Sequence, residues 1–187
     1  IKKLADGFAP RWRITVWIGF FTGMRPSEVL GLTWDRLDFE NQEITIDRQL
    51  SRDSKKIFAD HLKTSKSYRT IPFSPYLQKL LLEHRDQHGL GPHALILQNR
   101  SGNVWRYKDA SAMFRLIARP LGFDKGEGMH QLRHTCASVL IKLGNNAKQI
   151  QEWLGHESIL ETMDTYGHLF PRDLHEVSDR LDAYVVG

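Results

Sequence analysis

Residues 130 to 166 read HQLRHTCASVLIKLGNNAKQIQEWLGHESILETMDTY, and their punctuation decides the class of fold. His130 to Leu143 is a helix-length run that ends at Gly144. Asn146 is placed to cap a second helix, which stops at Gly155. Ser158 with Glu161 forms a capping-box pattern for a third helix, and that helix delivers Tyr166. Three short helices, each with its own start and stop signal, point to a mainly helical domain.

Working outward, Pro171 suits the start of a last helix with Leu174, Val177, Leu181 and Tyr184 along one side. Upstream, Trp12 to Phe21 places Ile14, Trp17, Ile18 and Phe21 on one helical face. Pro26 fits the first turn of a second helix carrying Glu28, Val29 and Leu30, which puts Arg25 at the corner between the two. Leu32 to Phe39 and Glu43 to Asp47 read as strands around the polar turn Glu40-Asn41-Gln42, with a third strand at Thr70 to Phe73. Pro75 to His88, ending at Gly89, and Tyr107 to Arg119 are further helices. The expected class is α+β, mainly helical, with one small three-stranded antiparallel sheet.

Bulk composition bounds the rest. At 187 residues, 41% hydrophobic and 26% charged, the chain fits one soluble domain with a proper core. No apolar run is long enough for a membrane span, so no membrane partner is expected. One cysteine, Cys136, forbids an internal disulfide and fits a reducing cytoplasm; its apolar helical setting reads as a core thiol. The net charge of +4 is modest but unevenly placed. Arg48, Arg52, Lys55, Lys56, Lys63, Lys66 and Arg69 face only Asp53 and Asp60 as acids in the same stretch. That concentration suits a phosphate-lined partner, although a solvated lysine-rich hairpin would look the same.

The chemistry-bearing residues are individually ordinary. His130 and Arg133 lie three apart on a helix, hence on one face. His134, four after His130, would also permit a metal pair, but no Glu follows His130 and no second cysteine exists, so no metal is expected. His156 follows a helix end, where histidine is a common cap, and Tyr166 alone would be a packed tyrosine. Together they form a set. A phenol can attack phosphorus, guanidiniums can clamp its non-bridging oxygens, and imidazoles can manage the phenol's proton.

In order, Thr22-Gly23-Met24-Arg25-Pro26-Ser27-Glu28, His130-Gln131-Leu132-Arg133-His134-Thr135, Leu154-Gly155-His156 and Thr165-Tyr166 resemble the catalytic domain of the tyrosine recombinases, the phage-integrase family. That family's pattern is T-G-x-R-x-x-E, a hairpin lysine, H-x-x-R, L-G-H and then Tyr. Lys63-Thr64, followed by Arg69-Thr70-Ile71-Pro72, is similar to its hairpin; Lys63 aligns with the lysine and Lys66 is the alternative. The resemblance runs from about Trp12 to about Phe170 and implies the tyrosine-recombinase catalytic fold.

It also implies a mechanism. Tyr166 would attack the scissile phosphorus, giving a 3′-phosphotyrosine and a free 5′-hydroxyl. Arg25 and Arg133 would hold the non-bridging oxygens, and Lys63 would protonate the leaving oxygen. His130 and His156 would orient or accept the phenol's proton, while Glu28 would orient the arginine corner. One phosphoester replaces another, so neither ATP nor any other cofactor is expected. The expected partners are double-stranded DNA attachment sites, a homotetramer on DNA in the full-length protein, and accessory DNA-bending or directionality factors. Residues 1–187 would be the catalytic part of a longer protein lacking its N-terminal DNA-binding domains. It would integrate or excise a phage or mobile element at the nucleoid of a bacterial cytoplasm. A type IB topoisomerase and a non-catalytic DNA-binding protein remain as other readings.

Overall fold

Pro10 opens the central helix at a position where its missing N–H goes unneeded. In the computed structural model, which describes residues 1–51, 56–88, 91–99, 101–123, 126, 128–171 and 173–186, this helix is α2 (Pro10–Thr22). It follows a short α1 (Lys2–Asp6) that no sequence signal announced. Trp12, Ile14, Val16, Trp17 and Ile18 are all buried, so α2 is covered on several sides. Its neighbours are α1, α3 (Pro26–Leu30), α4 (Pro75–His88) and α6 (His130–Lys142). A helix apolar beyond one stripe belongs at the centre of a domain, and α2 sits there. Phe114 and Ala118 of α5 (Tyr107–Ala118) close the same core, 5.5 Å separating the Phe8 and Phe114 rings.

The sheet is antiparallel, in the order β1 (Leu37–Asp38), β2 (Glu43–Ile46), β3 (Arg69–Pro72). Ile44 pairs with Leu37 on one side and Ile71 on the other, and Ile46 pairs with Arg69. Ile44 and Ile46 are buried while Glu43 and Thr45 are exposed, the alternation of a half-buried strand. The first strand is much shorter than Leu32 to Phe39. Trp34–Arg36 forms a 3₁₀ turn instead, in which the Thr33 hydroxyl bonds the Asp35 carboxylate and the Trp34 N–H bonds the Ala94 carbonyl. Short side-chain bonds of this kind compete with a strand ladder. Of the basic stretch, Arg52, Asp53 and Lys55 lie outside the described residues, as does Gly89. Lys56 is paired with Asp60 at 2.7 Å.

The C-terminal helices follow their caps. Asn146 accepts from the Gln149 N–H and Gln149 returns the bond, opening α7 (Ala147–Leu154). Gly155 ends α7 with φ +68°. In α8 (Ile159–Tyr166) the Ser158 hydroxyl accepts from the Leu160 N–H, but Glu161 approaches His156. Ala137, Ile141, Ile150, Leu154 and Tyr166 make a second small core between α6, α7 and α8, so the Tyr166 ring is itself a packing residue. The last helix, α9, runs Leu174–Val186, starting three residues after Pro171; none of its residues is buried.

Candidate active site

The corner at Gly23 is made by chain geometry. Gly23 caps α2 with φ +60°, where a Cβ would come within 2.5 Å of Leu154. The chain therefore turns tightly and presents Arg25 immediately before α3. Arg25 is then fixed from three directions. Its Nη1 donates to Glu28 Oε1 at 2.9 Å and to Ser67 Oγ at 3.0 Å, and its Nη2 donates to the Gly155 carbonyl at 3.1 Å. Glu28 also accepts from the Arg25 backbone N–H and from Arg69 Nη2 at 3.2 Å. Burial pushes the Glu28 carboxyl up, but Arg69, Arg25 and Arg133 outweigh it and hold the group below the usual carboxylate range.

Arg133 lies one turn into α6 and is only 3% exposed. Its Nη1 donates to the carbonyls of Gly23 and Leu154, both at 2.8 Å, which ties the end of α2 to the end of α7. Burial, reinforced by Arg25, pulls its guanidinium down to about 10, still cationic at neutral pH. Gly155 completes the joint. A Cβ there would stand 2.9 Å from the Lys66 carbonyl and 3.0 Å from the Arg69 side chain. The helix end can thus close onto the loop before β3.

His156, directly after this turn, is buried, with Nδ1 2.8 Å from the Thr162 hydroxyl. Its ring lies nearly parallel to that of Tyr166, 12° off and 6.3 Å between centroids. Burial, then Arg133 and Arg25, pulls His156 down to about 3; burial, then Arg133 and His134, pulls His130 down to about 4. Both imidazoles are neutral at pH 7 and can accept a hydrogen bond. Tyr166 is 3% exposed, and its hydroxyl lies 2.9 Å from His134 Nδ1.

An open cleft of about 770 Å³ joins these groups, with Arg25, Lys63, His130, Arg133, His156 and Tyr166 all on its wall. Six residues from scattered segments thus meet on one wall. A model of the phage integrase family matches residues 6–172. The chain belongs to the phage integrase family. It is 28% identical over 172 residues to the ICEBs1 integrase of Bacillus subtilis, covering 88% of this chain and 47% of that one. It is 30% identical over 194 residues to a XerC-like tyrosine recombinase of Caldanaerobacter subterraneus, covering 92% and 49%. The chain spans about half the length of the curated relatives it matches.

Solved structures share the fold. The Tn1549 transposon integrase in complex with transposon right end DNA superposes with a TM-score of 0.76 at 23% identity, over 95% of this chain and 59% of that one. The catalytic domain of bacteriophage HP1 integrase superposes at 0.65 and 24%, over 95% and 89%.

Within this integrase-family fold, two of the anticipated residues sit apart from the cleft wall. Glu28 lies beneath it, bonded to the arginines, and the exposed Lys66 donates its ammonium to the Glu157 carbonyl at 2.9 Å. Three further contributors were given no role in the site by the sequence. Arg69 links Glu28, the Ser67 carbonyl and the Trp153 carbonyl, and Ser67 is buried against Arg25. His134, weighed as a metal partner of His130 and set aside, is the imidazole in hydrogen-bond contact with the phenol. Its spacing from His130 was visible; what it touches, 32 residues downstream, was not. Cys136 is a buried core thiol that burial pushes up to about 12. Among the described residues no helix is long and apolar enough to cross a membrane, and no three metal-binding side chains cluster.

Proposed function

We propose that this chain is the catalytic domain of a site-specific DNA recombinase that cuts and rejoins strands through a 3′-phosphotyrosine on Tyr166. The observation that carries this reading is the meeting of a buried tyrosine, two arginines, two neutral imidazoles and Lys63 on one open cleft. Arg25 and Arg133 hold the two non-bridging oxygens with forked donors that lysine lacks. They stabilise the charge that builds there as the phenol adds, a task performed elsewhere by metal ions. His130 and His156, neutral and on the same cleft wall, orient the phenol for attack. Lys63, exposed on the cleft wall, protonates the departing 5′-oxygen; the tether of Lys66 to Glu157 supports Lys63 over Lys66 for this role. The 5′-hydroxyl of a partner strand then reverses the step. Bond exchange conserves the phosphoester, so no ATP is consumed.

The substrate is double-stranded DNA carrying an attachment site of a phage or other mobile element in a bacterial cell. The ICEBs1 and Tn1549 integrases are similar to this chain, which supports that assignment. On DNA the protein works as a homotetramer, with accessory bending or directionality factors. The uncovered stripe of α9 supports contact between protomers.

The test is covalent trapping in EDTA on a pool of nicked duplexes with randomised sequence around the nick. We expect a denaturation-resistant protein–DNA band from the wild type and none from Tyr166→Phe. A band that survives in the variant, or DNA binding with no band in either protein, would defeat this reading. Relaxation of any supercoiled plasmid without strand exchange would instead mark a topoisomerase.

A further inference from the structure

We propose that His134 is the base that takes the Tyr166 proton as the phenol attacks. This inference rests on the reading of Tyr166 as the nucleophile and assigns the proton acceptor on which that attack depends. His134 lies one turn beyond His130 on α6, half-buried, with its Nδ1 2.9 Å from the Tyr166 hydroxyl. Distance and pairing are those of a hydrogen bond already formed before DNA arrives. With neutral His134 carrying its hydrogen on Nε2, the phenol donates to Nδ1. That bond turns the oxygen's lone pairs away from His134 and leaves them available to phosphorus.

Packing holds the pair in register. The Tyr166 ring is wedged in the small core of α6, α7 and α8, lying between the His134 ring at 5.7 Å and the His156 ring at 6.3 Å. His156 has its Nδ1 on Thr162, a bond that fixes its ring plane. The transfer balances simply. A lone pair of Oη forms the Oη–P bond, the O–H pair stays on Oη as the proton moves to Nδ1, the P–O5′ bond breaks, and O5′ takes a proton from Lys63. In the return step, protonated His134 gives the proton back to the leaving phenolate.

The groups around the pair bear on its pH behaviour. The cations Arg25, Arg133 and Lys63 share the cleft with it, as do the imidazoles His61, His130 and His156. Among the described residues, Glu161 on α8 and Tyr107 on α5 are the other titratable groups on the cleft wall. Among the described residues on the cleft wall, three cations against one carboxylate favour departure of the phenolic proton.

The experiment uses a duplex selected from the randomised pool, made with a 5′-bridging phosphorothiolate so that departure needs no acid. Adduct formation is then timed from pH 6 to 10 for wild type, His134→Ala and His134→Asn. Asparagine can restore an acceptor near Nδ1 but cannot take the proton. We expect both variants to be slower at pH 7 by about 10²-fold or more. Their rates should climb about tenfold per pH unit, because an unassisted phenol ionises near pH 10. The wild-type profile should be flatter. A His134→Ala rate within about threefold of wild type, or full rescue by His134→Asn, would overturn the proposal while leaving Tyr166 as nucleophile. A wild type that forms no adduct defeats both readings together. An independent reading needs no turnover: the ¹⁵Nδ1 resonance of His134 should move in Tyr166→Phe, and an unchanged resonance would contradict the bond.

Discussion

Glu28 is 1% exposed and, among the described residues, is the carboxylate paired with Arg25 and Arg69; both of these and Arg133 contribute to its depressed pKa. A buried charge survives only when paired and hydrogen-bonded, and each oxygen of Glu28 has a guanidinium partner. Removing one member of such a cluster leaves the others buried and uncompensated, which costs about 3–5 kcal/mol. Glu28→Ala is therefore expected to lower unfolding stability by that amount in urea titration. A loss below about 1 kcal/mol would show that the arginines are solvated without it. The same change should disorder Arg25, since Glu28 binds both its backbone and its side chain.

At the scale of elements, the helices were legible because their signals are local. Asn146, Pro26 and Gly155 act on backbone groups within a few residues, so α3 and α7 begin and end where the sequence places them. The first strand was shortened to Leu37–Asp38 by a local competitor, the Thr33–Asp35 turn. The six cleft residues were legible through an ordered resemblance, whereas Arg69, Ser67 and His134 act across 41, 42 and 32 residues and carry no local mark. Helix α9 differs from the rest. Its apolar side was legible, but Leu174, Leu181 and Tyr184 are 79%, 65% and 89% exposed, so the stripe is largely uncovered. Removal of residues 171–187 is expected to leave the melting temperature unchanged and to weaken association on DNA in sedimentation velocity. A melting temperature lowered by many degrees would mean that α9 stabilises its own domain.

For the molecule as a whole, burial of neutral imidazoles makes folding oppose protonation. His84 and His130 are pulled down to about 4 and His156 to about 3, all from an ordinary value of 6.5, with burial the largest cause. Below pH 6.5 the unfolded chain therefore binds protons that the folded one refuses, and stability falls as pH falls. Glu28 acts in the same direction at lower pH, its contribution being full above 4.5 and lost as the pH drops through its depressed folded value. The melting temperature should be highest at neutral pH and decline steadily toward pH 4. A flat or rising profile between pH 7 and 5 would mean these imidazoles are solvated.

All of these features serve one claim, that Tyr166 forms a bond to DNA phosphorus. Peptide mapping by mass spectrometry of adduct trapped in EDTA and digested with nuclease tests it most directly. The account predicts a nucleotide joined through its 3′-phosphate to the peptide containing Tyr166, at the tyrosine itself. A nucleotide on any other side chain, or trapped protein whose Tyr166 peptide is unmodified, would contradict it.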